Sequence, residues 1–262
     1  MNFGGLKMKV KNQWFPFVSE EINANDKAII FCFHHAGGTA ATYRSWTMKE
    51  EEAILACVEL PGKGTRRNER FIFEFGEMLP ELAQNINQFA RGKKVILFGH
   101  SMGAAMAFYV ADYLNKVFGK SCEKLIVSGR QAPDRENPFE FKTYMGEDAL
   151  VNELVRYQAT PKEVLENQEL LNFILPGLRQ DYILNETLHY HGEILDVPIT
   201  AHAGTGDYEA NAGVMGLWSN MTTSHFCLEE FCGSHFFVTD MGEAYKKKVV
   251  EEAIKDIWED YE

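Results

Sequence analysis

KVILFGHSMGAAMAFYV, residues 94–110, decides the fold. Lys94 to Phe98 is a short aliphatic run of the kind that forms a strand buried on both faces. From Met102 onward, small and apolar residues recur at helical spacing. Between the two stands Gly99-His100-Ser101-Met102-Gly103, a G-x-S-x-G sequence. A strand-to-helix turn this tight strains its central residue, and a side chain at 99 or 103 would collide with neighbouring backbone, so glycine is required at both. Such a turn holds the Ser101 hydroxyl clear of the sheet. The pattern alone is short enough to arise by chance; the strand before it and the small-residue helix after it give it meaning.

Working outward, residues 28–33 (AIIFCF), 53–60 (AILACVEL), 124–128 (KLIVS) and 197–203 (VPITAHA) are further buried-strand runs. Helical spacing fills 76–90 and 102–117, and a last helix is expected over about 241–258. Strand and helix alternate, which predicts an α/β fold with a mostly parallel central sheet flanked by helices. At 262 residues, one domain spanning 1–262 is expected. One stretch breaks the alternation. Residues 131–192 pass through QAPDRENPF into helical patterns such as EDALVNELVRY and PGLRQDYILNETLHY, with no strand run. It leaves the strand that follows the Ser101 turn, so it reads as a helical lid over the functional edge of the sheet. Its apolar positions Leu150, Leu154, Leu165, Leu170, Phe173, Leu175 and Leu178 exceed what short helices need for mutual packing, so some are expected to face a substrate.

Composition excludes several classes. A net charge of -12 argues against nucleic acid as a partner, because phosphate binding needs a clustered basic face. No apolar run reaches the length of a membrane span and the first residues lack a signal-peptide core, so a cytoplasmic protein with no membrane partner is expected. The five cysteines have no paired spacing and read as reduced thiols. No histidine and carboxylate spacing suggests a metal site, and no cofactor is expected.

A serine hydroxyl is a weak nucleophile near neutral pH and needs a histidine to take its proton and an acid to orient that histidine. Both should follow in the order serine, acid, histidine. Asp207 lies in Gly204-Thr205-Gly206-Asp207, at the C-terminal end of the strand VPITAHA, where such an acid belongs. Asp196 precedes that strand, and Asp240 follows the histidine candidate. His235 lies in CGSHFFV, after the strand-like SHFCLEEF, and is the expected base. His100 should point away from the serine hydroxyl and pack; His189, His191, His202 and His225 read as structural. Two backbone N–H groups must meet the developing oxyanion. Met102 supplies one, and Ala36, in the glycine-rich His34-His35-Ala36-Gly37-Gly38 after the first strand, is the candidate for the other.

Together these segments resemble the type II thioesterases, the stand-alone editing enzymes of nonribosomal peptide and polyketide synthesis. CFHHAGGTAATYRSW is similar to the family's opening loop, VELPGKGTRR to its LPGRG-type segment, FGHSMGA to its elbow, SGRQAP to the start of its lid, and CGSHFFV to its histidine motif. The resemblance implies an α/β-hydrolase fold, with Ser101, Asp207 and His235 on the family's triad and Ala36 and Met102 on its oxyanion donors. It also implies hydrolysis of acyl groups from the phosphopantetheine arm of acyl- or peptidyl-carrier domains. Separately from the resemblance, a monomer is expected. The departures are His34 where the family usually has proline, Lys63 where it often has arginine and Ser234 where a second glycine is common. The alternatives are a carboxylesterase of free esters and a medium-chain acyl-carrier-protein hydrolase. A basic run, Lys63, Arg66, Arg67 and Arg70, is a candidate surface for docking carriers.

Overall fold

The computed structural model describes residues 12–18, 28–47, 53–119, 121–135, 140–157 and 160–255. Among them six parallel strands form one sheet: β1 Ala28–Phe33, β2 Ala53–Cys57, β3 Lys94–His100, β4 Lys124–Ser128, β5 Ile199–Gly204 and β6 Phe226–Phe231, in the order β2-β1-β3-β4-β5-β6. Successive side chains of a strand point to opposite faces. Accordingly Ile29, Phe31 and Phe33 enter one core cluster while Ala28, Ile30 and Cys32 enter the other. Both faces are covered, which is why these strands read as unbroken apolar runs. The edge strand β6 is only half-buried and carries Glu229 and Glu230, charges suited to an open edge.

The larger core lies under α1 (Phe75–Ala90) and α2 (Met102–Phe118); the smaller lies under α8 (Glu243–Ile254) and a 3-10 stretch, Ala40–Thr47. Strand register fixes where the loops emerge. Phe33 pairs with Gly99, and His100 with Ser128. The chain therefore leaves β1, β3, β5 and β6 at one edge of the sheet, and the loops that carry Ala36, Ser101, Asp207 and His235 converge there.

The 131–192 region contains α3 (Glu147–Tyr157), α4 (Lys162–Leu165) and α5 (Gln168–Asn185), and no strand among its described residues. Asn167 caps α5, its Oδ1 accepting from the N–H of Glu169 and Leu170 at 3.0 and 3.2 Å. Phe141, Leu150, Leu171, Leu175, Leu178 and Tyr182 give these helices a small core of their own. Of the apolar positions expected to exceed mutual packing, Leu150, Leu175 and Leu178 are buried in that core. Leu154 and Leu165 pack on its margin, and Leu170 and Phe173 are exposed.

Boundaries shift where local chemistry intervenes. The 53–60 run is a strand only to Cys57; Val58 and Glu59 stay buried while their N–H groups bond to Cys32 and Trp14 carbonyls. The helix expected through LNETLHY stops at Asn185, and the Thr187 hydroxyl donates back to the Leu184 carbonyl at 2.7 Å. After β5 comes the single turn α6 (Ala212–Met215); the last helix begins at Glu243, after a separate turn α7 (Phe237–Asp240) and Gly242 at φ +52°, and residues 256–258 lie outside those described. No helix among the described residues is long and apolar enough to cross a membrane.

Candidate active site

Ser101 occupies the turn between β3 and α2 with φ 56° and ψ −122°, a conformation costly for any residue with a side chain. Its surroundings enforce it. A Cβ on Gly99 would lie 2.1 Å from the Gly103 carbonyl oxygen, and one on Gly103 would lie 2.2 Å from that of Phe33. The Ser101 N–H also donates to the Ser128 carbonyl at 2.8 Å, tying the turn to β4. Both glycines are thus sterically required, as the sequence implied.

Asp207 and His235 come together from different loops. His235 Nδ1 donates to Asp207 Oδ2 at 2.8 Å, and Asp207 Oδ1 accepts from the N–H of Glu209 and Ala210, both at 3.1 Å. Each carboxylate oxygen is engaged, so the carboxylate plane is fixed. Burial pushes the Asp207 carboxyl up, but the His235 hydrogen bond and charge, with the two amides, hold it below its ordinary value. Asp207 is therefore ionised near neutral pH and holds the Nδ1–H tautomer, which leaves Nε2 as the basic nitrogen.

The His235 ring packs against the His100 ring at 4.9 Å and the Tyr157 ring at 4.6 Å. Tyr157, at the end of α3, donates its hydroxyl to Glu209 Oε2 at 2.7 Å. His100 Nδ1 bonds Ser128 Oγ at 3.1 Å, in keeping with the packing role expected of it. Burial, then the neighbouring His235, hold His100 well below the usual histidine range; the same two causes, followed by Lys63, push His35 down to about 3. Both stay uncharged beside the reacting groups.

Ser101 and His235 open onto one cavity of about 420 Å³, walled on its apolar side by Leu154, Ile174, Leu178 and Phe236. A second space, about 60 Å³, is lined by Ala36, Ser101, Met102 and His235 together with Glu140, Glu153 and Glu209. The two residues whose amides are expected to hold an oxyanion thus border the same space as the serine. Among the described residues neither the Ala36 nor the Met102 N–H has an intramolecular partner. Of the three departures in sequence, His34 is buried with Nδ1 donating to the His35 carbonyl at 2.8 Å, and Ser234 lies in the turn before α7, its carbonyl accepting from Phe237 N–H.

The basic run divides. Arg67 and Arg70 are exposed, but Lys63 is buried against Asp181, and Arg66 is buried, bonded to Glu69 at 2.6 and 2.9 Å and stacked 4.2 Å over Trp14. The four do not form one surface. Sequence reasoning also missed Glu59, fully buried, whose Oε1 accepts from Ala40 N–H at 3.0 Å and Oε2 from Thr65 N–H at 2.9 Å. It pins the loops after β1 and β2 to each other.

Residues 28–256 match the family model described as a thioesterase domain. The chain belongs to the thioesterase family. This thioesterase is 32% identical over 218 residues to the thioesterase PikA5 of Streptomyces venezuelae, a match covering 82% of this chain and 77% of that one. It is 33% identical over 226 residues to LgrE of Brevibacillus parabrevis, covering 84% and 86%. LgrE is named a linear gramicidin dehydrogenase; in the present thioesterase the loop after β1 is His-His-Ala-Gly-Gly and not the G-x-G-x-x-G of a dinucleotide site. Among solved structures, the type II thioesterase BorB of the borrelidin biosynthetic cluster superimposes with a TM-score of 0.74 at 30% identity, covering 89% of this chain and 96% of that one. The motif resemblance to type II thioesterases therefore holds across the whole fold, and the reaction is hydrolysis of acyl thioesters.

Proposed function

We propose that Ser101, Asp207 and His235 form the catalytic triad of this thioesterase, and that its substrates are acyl groups on the phosphopantetheine arm of carrier domains. The observation that carries the reading is the His235–Asp207 bond at 2.8 Å, with the strained Ser101 and His235 opening onto one cavity. Ser101 Oγ attacks the thioester carbonyl as His235 Nε2 takes its proton; the Ala36 and Met102 N–H groups receive the oxyanion. His235 returns the proton to the departing thiolate. Water, deprotonated by the same histidine, then hydrolyses the acyl-serine.

The 131–192 helices act as the lid of a single domain, since Leu154 and Tyr157 of α3 and Ile174 and Leu178 of α5 wall the cavity. The likeness to BorB, a type II thioesterase of the borrelidin biosynthetic cluster, supports a role in clearing misprimed or stalled carriers of a nonribosomal peptide or polyketide synthetase. Such a substrate fits an enzyme that works beside its synthetase in the cytoplasm, and a triad and oxyanion amides all drawn from one chain fit a monomer.

Ser101→Ala should fold normally and lose turnover of an acyl-pantetheine thioester by on the order of 10⁴-fold or more. Near wild-type turnover in that variant would sink the triad. Rates on acyl-pantetheine and on a p-nitrophenyl ester of the same acid separate a thioesterase from an esterase of free oxygen esters.

A further inference from the structure

Asp181, on α5, is fully buried. Its Oδ2 accepts from the Gly37 N–H at 2.6 Å, across 144 residues of sequence, and also from the buried Lys63 ammonium. Oδ1 has no hydrogen-bond partner among the described residues. An apolar pair would seat a helix with less desolvation than a buried ion pair does. Seating α5 is therefore not reason enough for these charges.

The Gly37 N–H supplies a better reason, because it belongs to a turn beside the serine. Residues His35 to Gly38 form that turn, closed by Gly38 N–H to the His35 carbonyl at 3.0 Å, with Gly37 at φ +82°. A positive φ at the third position marks a type II turn, and type I differs from it chiefly by a half-rotation of the central peptide. Here the central peptide joins Ala36 to Gly37, and its N–H is the one Asp181 accepts. Rotation would aim the Ala36 carbonyl oxygen at a buried carboxylate. The same face of α5 bears on the turn a second time, for a Cβ on Gly37 would meet Leu178 Cδ1 at 3.2 Å.

We propose that Asp181 is a positioning residue: by holding the Gly37 N–H it locks the turn and anchors the short loop on which the Ala36 N–H, part of the preceding His35–Ala36 peptide, must stand, and so ties formation of the oxyanion site to the seating of α5. This rests on the assignment of Ala36 as an oxyanion donor. Lys63 balances the charge and leaves the carboxylate free to face the turn.

The test compares two neutral pairs in the full chain, K63M/D181N and K63M/D181L, with wild type and S101A alongside. Both pairs remove the two charges, but only asparagine keeps an acceptor for the Gly37 N–H. For an acyl-pantetheine thioester, K63M/D181N should keep most of kcat. K63M/D181L should lose kcat about 10- to 100-fold, short of the ~10²–10³ that deleting a donor outright costs. Its KM should be unchanged, its melting temperature should match that of the asparagine pair, and fluorophosphonate labelling of Ser101 should slow in parallel. If the leucine pair does not fold, K63M/D181A makes the same comparison. Equal kcat in the asparagine and leucine (or alanine) pairs, with S101A inactive, overturns the positioning role alone. An active S101A overturns the triad on which it rests.

Discussion

At the scale of single residues, the three acids that the sequence offered as partners for His235 differ in surroundings as well as in chain position. Asp207 is buried with both oxygens bonded, while Asp196 and Asp240 are exposed. Asp207→Asn should lower kcat by on the order of 10³–10⁴-fold, because an amide in that place favours the wrong histidine tautomer. Asp196→Asn and Asp240→Asn should stay within about threefold of wild type, as surface changes away from a site usually do. A dead D196N or D240N, assayed on the same thioester, would reassign the acid. Ser101, Asp207 and His235 were legible because each stands just beyond a recognisable strand, so topology alone brings them to one edge. Glu59 and Asp181 were not, since a buried carboxylate held by amides from a distant loop leaves no local pattern. The same gap made Lys63 and Arg66 look like surface charge: nothing near them in sequence announces Asp181 or the Trp14 ring.

At the scale of elements, α5 does two jobs with adjacent turns. Asp181 and Leu178 meet the loop after β1, and Ile174, Gly177 and Leu178 border the cavity. The Pro176-Gly177 pair in its middle weakens the helix, since proline removes one backbone bond and glycine adds disorder to the unfolded chain. A Cβ on Gly177 would meet nothing within 4 Å. Gly177→Leu should therefore project a side chain into the cavity without moving backbone, and gain about 0.8 kcal/mol in helix propensity. The expected result is an unchanged or raised melting temperature, with kcat/KM falling at least tenfold more for an octanoyl than for an acetyl thioester. A uniform fall across chain lengths would mean that the acyl chain does not run along α5. The sequence showed that these helices exist and where α3 begins; it could not show that their leucines serve mainly a core of their own, because a hydrophobic pattern does not tell helix–helix packing from a substrate wall.

For the whole molecule, the telling feature is how many histidines it holds uncharged, three of them buried and His35 half-buried at the cavity. Burial is the leading cause that holds His34, His35, His100 and His202 below the ordinary value, His35 and His202 down to about 3. Below about pH 6.5 the unfolded chain takes up a proton at each of these positions. The folded chain does not until far lower pH. The unfolded state then binds more protons, so stability is lost as pH falls from about 6.5 towards 3, and no such loss occurs above 6.5. Each histidine contributes up to ~1.4 kcal/mol per pH unit, and four acting together up to ~5.5. Three opposing effects are weaker in the upper part of that window, the first being Glu153, whose carboxyl burial also raises from a low ordinary value. Asp181, raised by burial despite Lys63 and the Gly37 amide, protonates sooner in the folded state, but as a carboxyl it starts from an ordinary value near 3.9. Relief of the net charge of -12 also favours the folded state on acidification, but surface charges are screened beyond about 8 Å at physiological ionic strength. Urea unfolding at pH 7, 6 and 5 should show the midpoint falling steeply. His202 is the position to test, because its Nδ1 bonds the Tyr245 hydroxyl at 2.7 Å, away from the catalytic groups. His202→Gln should be less stable than wild type at pH 7 yet lose stability more slowly on acidification, by about one proton's worth, or ~1.4 kcal/mol per pH unit. An unchanged slope in that variant would show that His202 is not among the groups that make the fold acid-sensitive.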